Sequence, residues 1–93
     1  MVDIDEQTRE ALLITQEECA EVTQAISKVF RFGFPTRYPD DYASSNRERL
    51  EEEIGDLLAM IDILVEKSII SDWNVSKARK DKREKLIKWS GIK

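Results

Sequence analysis

The strongest pattern along the chain lies at residues 50–66, LEEEIGDLLAMIDILVE, where apolar residues fall at Leu50, Ile54, Leu57, Ile61 and Leu64. That three-and-four spacing is one face of a helix. Ser45 and Glu48 form an SxxE capping box that opens it, and the helix is expected to run to about Lys67. A second stripe, Leu12, Thr15, Cys19, Val22, Ile26 and Val29, keeps a heptad phase with no glycine or proline inside it. It predicts one long helix from Asp5 to about Arg31. Thr15 with Glu18 offers a competing capping box that would break this helix near Ile14, but the unbroken phase favours continuity. Residues 33–45, GFPTRYPDDYASS, hold both prolines, Gly33 and three aromatics, Phe34, Tyr38 and Tyr42. They stop the first helix and predict a long loop of the kind often used as a lid or binding loop. After a short turn at 68–72, Ser71 or Asp72 caps a last helix from about Trp73 to Trp89, with Gly91 just beyond it. Its stripe, Val75, Ala78, Leu86 and Trp89, is thin. Lys82 stands where an apolar residue is expected, so it should point inward, with Lys85 nearby.

These elements predict an all-α fold, an antiparallel helical bundle of three to four helices in one domain spanning residues 1–93. The two longer helices would measure about 40 and 33 Å, more apolar face than a small chain can cover. Dimerisation, or a dimer of dimers, would complete the bundle. Cys19 and the two tryptophans are expected to pack in the core.

Composition narrows the chemistry. In 93 residues there is no histidine and one cysteine, which excludes a conventional zinc site, a serine–histidine triad and a histidine general base. Carboxylates, lysines, tyrosines and water remain, the vocabulary of hard cations. No signal peptide is visible and no apolar run approaches the roughly 20 residues needed to span a bilayer, so a cytoplasmic protein without membrane contact is expected. Charge is uneven. Residues 1–66 carry 16 acidic and 6 basic residues, net −10, and residues 67–93 carry 3 and 9, net +6, which together give the overall −4.

Within the acidic part, Glu53 and Asp56 are three apart at the edge of an apolar face, so their carboxylates lie side by side. Gly55 sits between them. A helical glycine costs about 1 kcal/mol relative to alanine, which suggests close approach by another backbone or a ligand. On the first helix, Ile14, Glu18, Glu21, Ala25 and Lys28 form a flank, placing Glu18 and Glu21 in the same relation to their stripe. If the two helices pack antiparallel, four carboxylates converge. Such a cluster repels itself, and Mg²⁺, or alternatively Mn²⁺, would neutralise it while leaving room for nucleotide phosphates. Spacing alone does not establish this, because Asp3/Glu6, Glu48/Glu51 and Asp81/Glu84 are also three apart.

The segments EECAE at 17–21 and EEIGDLL at 52–58 resemble the EExxE and ExxD motifs of the MazG-like branch of the all-α nucleotide pyrophosphohydrolases. The surrounding stretches are similar to its short phage-type and bacterial members, over roughly residues 10–67. This resemblance implies that Glu18, Glu21, Glu53 and Asp56 bind the metal, and that the chain hydrolyses a (deoxy)nucleoside triphosphate to the monophosphate and pyrophosphate. Glu17 or Glu21 would take the proton from water attacking the α-phosphorus. Lys82 and Lys85 would contact phosphates, and Lys28, Phe34 and Tyr38 are further candidates for holding substrate. Two other readings stay open, a non-catalytic helical interaction module and nucleic-acid binding by the basic residues 77–88; the net charge of −4 argues against the latter.

Overall fold

The computed structural model describes residues 3–38 and 41–92, with the side chains at 38 and 41–43 left out. It is an all-α fold with three helices among the described residues, α1 (Glu6–Phe32), α2 (Asn46–Glu66) and α3 (Asp72–Trp89). Two compact units divide it at Ile63/Leu64, and each is described by itself.

The first unit holds α1 and most of α2. Asp5 caps α1, accepting from the Thr8 amide at 2.8 Å and from its hydroxyl at 2.9 Å. No break occurs near Ile14. The Thr15 hydroxyl donates to the Ala11 carbonyl at 2.7 Å, so the side chain that could have capped a new helix is turned back into the old one. Gly33 closes α1 at φ 87°, where its amide donates to the Val29 carbonyl at 2.8 Å.

The segment after Gly33 is not all loop. Strands β1 (Arg37–Tyr38) and β2 (Asp41–Ser45) form a short antiparallel ribbon, pairing Arg37 with Ser45 and Tyr38 with Asp41 across a register shift. The capping box at its end is complete. The Ser45 hydroxyl accepts from the Glu48 amide and the Glu48 carboxylate accepts from the Ser45 amide, both at 3.1 Å. Arg37 reaches the same carboxylate at 3.2 Å. Asn46, 1% exposed, ties the connection together. Its amide donates to the Thr36 carbonyl at 2.9 Å, its side-chain Nδ2 donates to the Gly33 carbonyl at 2.9 Å, and the next amide, of Arg47, donates to the Phe34 carbonyl at 3.1 Å. Three carbonyls of the ribbon stem, at 33, 34 and 36, are thereby held by two residues.

In the second unit, the end of α2 is closed by a Schellman turn. The Ser68 amide donates to the Val65 carbonyl and the Ile69 amide to the Leu64 carbonyl, each at 2.9 Å. Ser68 takes the left-handed position at φ 58°. Ser71 then caps α3, accepting from the Asn74 amide at 3.2 Å.

Few apolar side chains are fully buried among the described residues: Ala11, Ala25 and Leu64. Several expectations of burial fail for that reason. Cys19 is exposed, and Trp73 and Trp89 are 70% and 76% exposed. Lys82 and Lys85 are exposed as well, so Lys82 does not take the inward orientation read from its place in the stripe. Leu12, Ile26, Ile54 and Leu58, all on the predicted helix stripes or beside them, remain exposed. A Cβ placed on Gly55 would meet nothing within 4 Å, so among the described residues nothing makes the close approach that the glycine suggested. No helix among the described residues is long and apolar enough to cross a membrane.

Candidate metal centre

Helices α1 and α2 run in opposite directions along one another, as their facing residues show. Lys28 and Glu21 line one cleft with Asn46, Arg49 and Glu53, and Glu18 brings a carboxylate oxygen within 4.8 Å of those of Glu53 and Asp56. This direction matters for the chemistry. Each helix offers acids three residues apart, and antiparallel pairing turns two lines of acids into one cluster.

Glu18, Glu53 and Asp56 each present a carboxylate oxygen, and these atoms all lie within 4.8 Å of one another. Glu18 and Glu53 are part-buried and Asp56 is exposed, so the cluster sits at a half-covered wall with one open side. Burial raises the Glu18 carboxyl above its ordinary value, with further push from the charges of Asp56, Glu21 and Glu17. Burial likewise raises Glu53, followed by the charges of Glu21, Asp56 and Glu18. The Oε2 of Glu18 is shielded from water and has no hydrogen-bond partner. A buried acceptor in that state costs about 1–3 kcal/mol, more when charged.

This donor set fits a hard divalent cation. Such an ion takes oxygen ligands, and Mg²⁺ commonly keeps several waters beside one or two carboxylates. It would also satisfy the unpartnered oxygen of Glu18 and relieve the repulsion that raises both carboxyls.

Glu21 and Glu17 lie outside the close trio. Glu21 is near enough to act on the charges of Glu18 and Glu53, and Glu17 on that of Glu18. Beside the trio, sharing Glu53 with it, is a small cleft of about 80 Å³. Glu21, Gln24, Ala25 and Lys28 line it from α1, and Asn46, Arg49 and Glu53 from α2. Of the sequence candidates, Lys28 therefore stands next to the acids. Phe34 lies at the ribbon stem with the Arg47 guanidinium 4.5 Å from its ring centre, and Tyr38 is on β1. Lys82 and Lys85 are on α3, where Lys85 lines a local groove with Asp81, Glu84, Lys88 and Trp89.

Gln24, Asn46 and Arg49 are absent from the sequence reading. Asn46 follows the Ser45 cap directly, so it reads as an ordinary first-turn residue. Its burial depends on Gly33, thirteen positions earlier. The signal that could have found it is the juxtaposition of a helix-stopping glycine with a capping box at the far end of the same connection.

An all-α chain with carboxylates from two antiparallel helices gathered at one point defines a helical protein of the acidic-cluster type, whose oxygens could hold a hard cation. The MazG nucleotide pyrophosphohydrolase domain model matches residues 6–88, and the chain belongs to that family. Nucleotide pyrophosphohydrolysis is the general activity this membership supports. Comparison with curated proteins and with solved structures gave no match.

Proposed function

We propose that this protein hydrolyses (deoxy)nucleoside triphosphates to the monophosphate and pyrophosphate, with Mg²⁺, or Mn²⁺ in its place, held by Glu18, Glu53 and Asp56 and assisted by Glu21. The observation that carries the reading is the meeting of three carboxylate oxygens within 4.8 Å at a half-covered wall. A bound divalent cation would supply charge neutralisation for the triphosphate and polarise a phosphoryl oxygen.

The chain's own residues do the rest. Glu18, Glu53 and Asp56 orient the phosphates by fixing where positive charge can sit. Glu21, which lines the cleft, or Glu17 would accept the proton of a water attacking the α-phosphorus. Lys28 faces the same cleft and supplies a fixed cation for charge that builds on the phosphates. Lys82 and Lys85 are further candidates for phosphate contact, and Phe34 and Tyr38 for contact with the nucleoside. The protein acts as a homodimer or dimer of dimers in the cytoplasm, as a single domain over residues 1–93. A second copy would cover the exposed apolar residues Leu12, Ile26, Ile54 and Leu58; sedimentation at micromolar concentration would read the assembly directly.

The test of the reaction is pyrophosphate release from a panel of ribo- and deoxynucleoside triphosphates with Mg²⁺, with Mn²⁺ and with EDTA. Metal-dependent release with monophosphate as co-product is the expected result. Orthophosphate as product, or no release from any triphosphate by folded protein, would overturn it.

A further inference from the structure

Gly33 joins two helices through one residue. Its amide donates to the Val29 carbonyl at 2.8 Å and closes α1, while its carbonyl accepts from Asn46 Nδ2 at 2.9 Å at the start of α2. Its φ of 87° is one that glycine adopts freely. Asn46 is 1% exposed, so the bond is shielded from water, and breaking it strands a buried polar group.

Both rows of acids are counted from this bond. Glu21 and Glu18 lie 12 and 15 residues before Gly33, and Glu53 and Asp56 lie 7 and 10 residues after Asn46, so the two rows climb from it in step. Apolar packing gives that step little grip. Among the described residues of this unit the buried apolar side chains are Ala11 and Ala25, too small to interlock deeply. One residue of slide along a helix is about 1.5 Å. Mg²⁺ holds its oxygens at about 2.0–2.1 Å with little latitude, so a slide of that size takes a ligand out of reach.

We infer that the hydrogen bond from Asn46 to Gly33 sets the register of the two carboxylate rows, which makes Asn46 a positioning residue for the divalent cation. This deepens the proposed metal site and rests on it. Asn46 stands two turns, about 10 Å along α2, before Glu53, so it acts through Glu53 and Asp56 and not as a ligand. Such coupling is reciprocal: a bond that favours the cation is favoured by it to the same degree.

Calorimetric titration of Mg²⁺ into the full chain reads the first half of this statement. Asn46→Ala, which removes the donor and leaves every charge in place, is expected to bind Mg²⁺ about tenfold more weakly or worse. Ser71→Ala, which lowers stability by removing the α3 cap, should leave the affinity unchanged. The second half is read in the unaltered protein and needs no folded variant. In saturating Mg²⁺ the Asn46 side-chain amide hydrogens, followed by nitrogen–proton NMR, should exchange several-fold more slowly than in EDTA, while the backbone amide of Asn74 in the other unit keeps its rate. An unchanged affinity in folded Asn46→Ala, an equal loss in Ser71→Ala, or an Asn46 exchange rate indifferent to Mg²⁺ would overturn the inference. Unaltered protein that binds no Mg²⁺ would overturn it together with the proposed metal site; binding that survives intact in Asn46→Ala rejects the positioning role alone. Pyrophosphate release judges the reaction separately.

Discussion

Ser45 and Glu48 hold each other's backbone amides, each at 3.1 Å, and so fix the point where the ribbon becomes α2. Every acid that α2 brings to the site is placed by counting turns from this point. The Glu48 carboxyl is held below its ordinary value of 4.5, first by the Ser45 amide, then by the Ser45 hydroxyl and the Arg37 charge. A lowered folded value means that the stabilisation is present above the unfolded value and is lost as pH falls through the folded one. Ser45→Ala is expected to cost about 1 kcal/mol, or roughly 4–8 °C in melting temperature for a domain of this size. Glu48→Gln should melt below the unaltered protein at pH 7, and the difference should narrow below about pH 4.5. Thermal denaturation followed by circular dichroism across this range checks both.

Crowded negative charge at the site has a cost that one substitution can remove. Glu53→Gln keeps the side-chain shape while taking away a charge that faces Glu21, Asp56 and Glu18. In EDTA the variant is expected to melt higher than the unaltered protein. In Mg²⁺ the order should reverse, and the concentration for half-maximal stabilisation should rise by about tenfold or more. A melt that responds to Mg²⁺ identically in both proteins would remove Glu53 from the proposed ligand set.

Activity provides an independent reading of the same residues. Glu53→Ala and Asp56→Ala are expected to abolish pyrophosphate release with the helical circular dichroism largely retained, because both side chains stand on a helix flank rather than in a packed core. Full turnover in either variant would sink the assignment.

A backbone prediction concerns the turn between α2 and α3. Ser68 occupies φ 58°, a conformation in which a Cβ costs about 1–2 kcal/mol and which glycine adopts freely. Ser68→Gly is expected to stabilise the protein by about 1 kcal/mol, visible as a rise of a few degrees in melting temperature. A fall would mean that the Ser68 side chain contributes more than its conformation costs.

How much of this was written in the sequence depends on the range of the interaction. The three helices and their ends are legible because caps are local: Asp5 with Thr8, Ser45 with Glu48 and Ser71 with Asn74 are all pairs three residues apart. The meeting of Glu18, Glu53 and Asp56 is legible at one remove, since it needs only the phase of each helix and an antiparallel return. The ribbon is not, because proline and glycine announce a break while the pairing of Arg37 with Ser45 is decided across the chain. Asn46 is hidden for the same reason. Cys19, Trp73 and Trp89 mislead in another way: their types favour interiors, but among the described residues the buried apolar ones are Ala11, Ala25 and Leu64, which leaves little interior to enter.

The stem on Asn46 separates two parts of the connection that the chain threads in a single pass. Carbonyls at 33, 34 and 36 are referenced to residues 46 and 47, so the spacing of α1 and α2, and with it the acid cluster, is set below the ribbon. Arg37 apart, whose guanidinium reaches Glu48, changes in the ribbon beyond this stem are therefore expected to alter what the protein displays there and to leave the distance between the two rows of carboxylates unchanged.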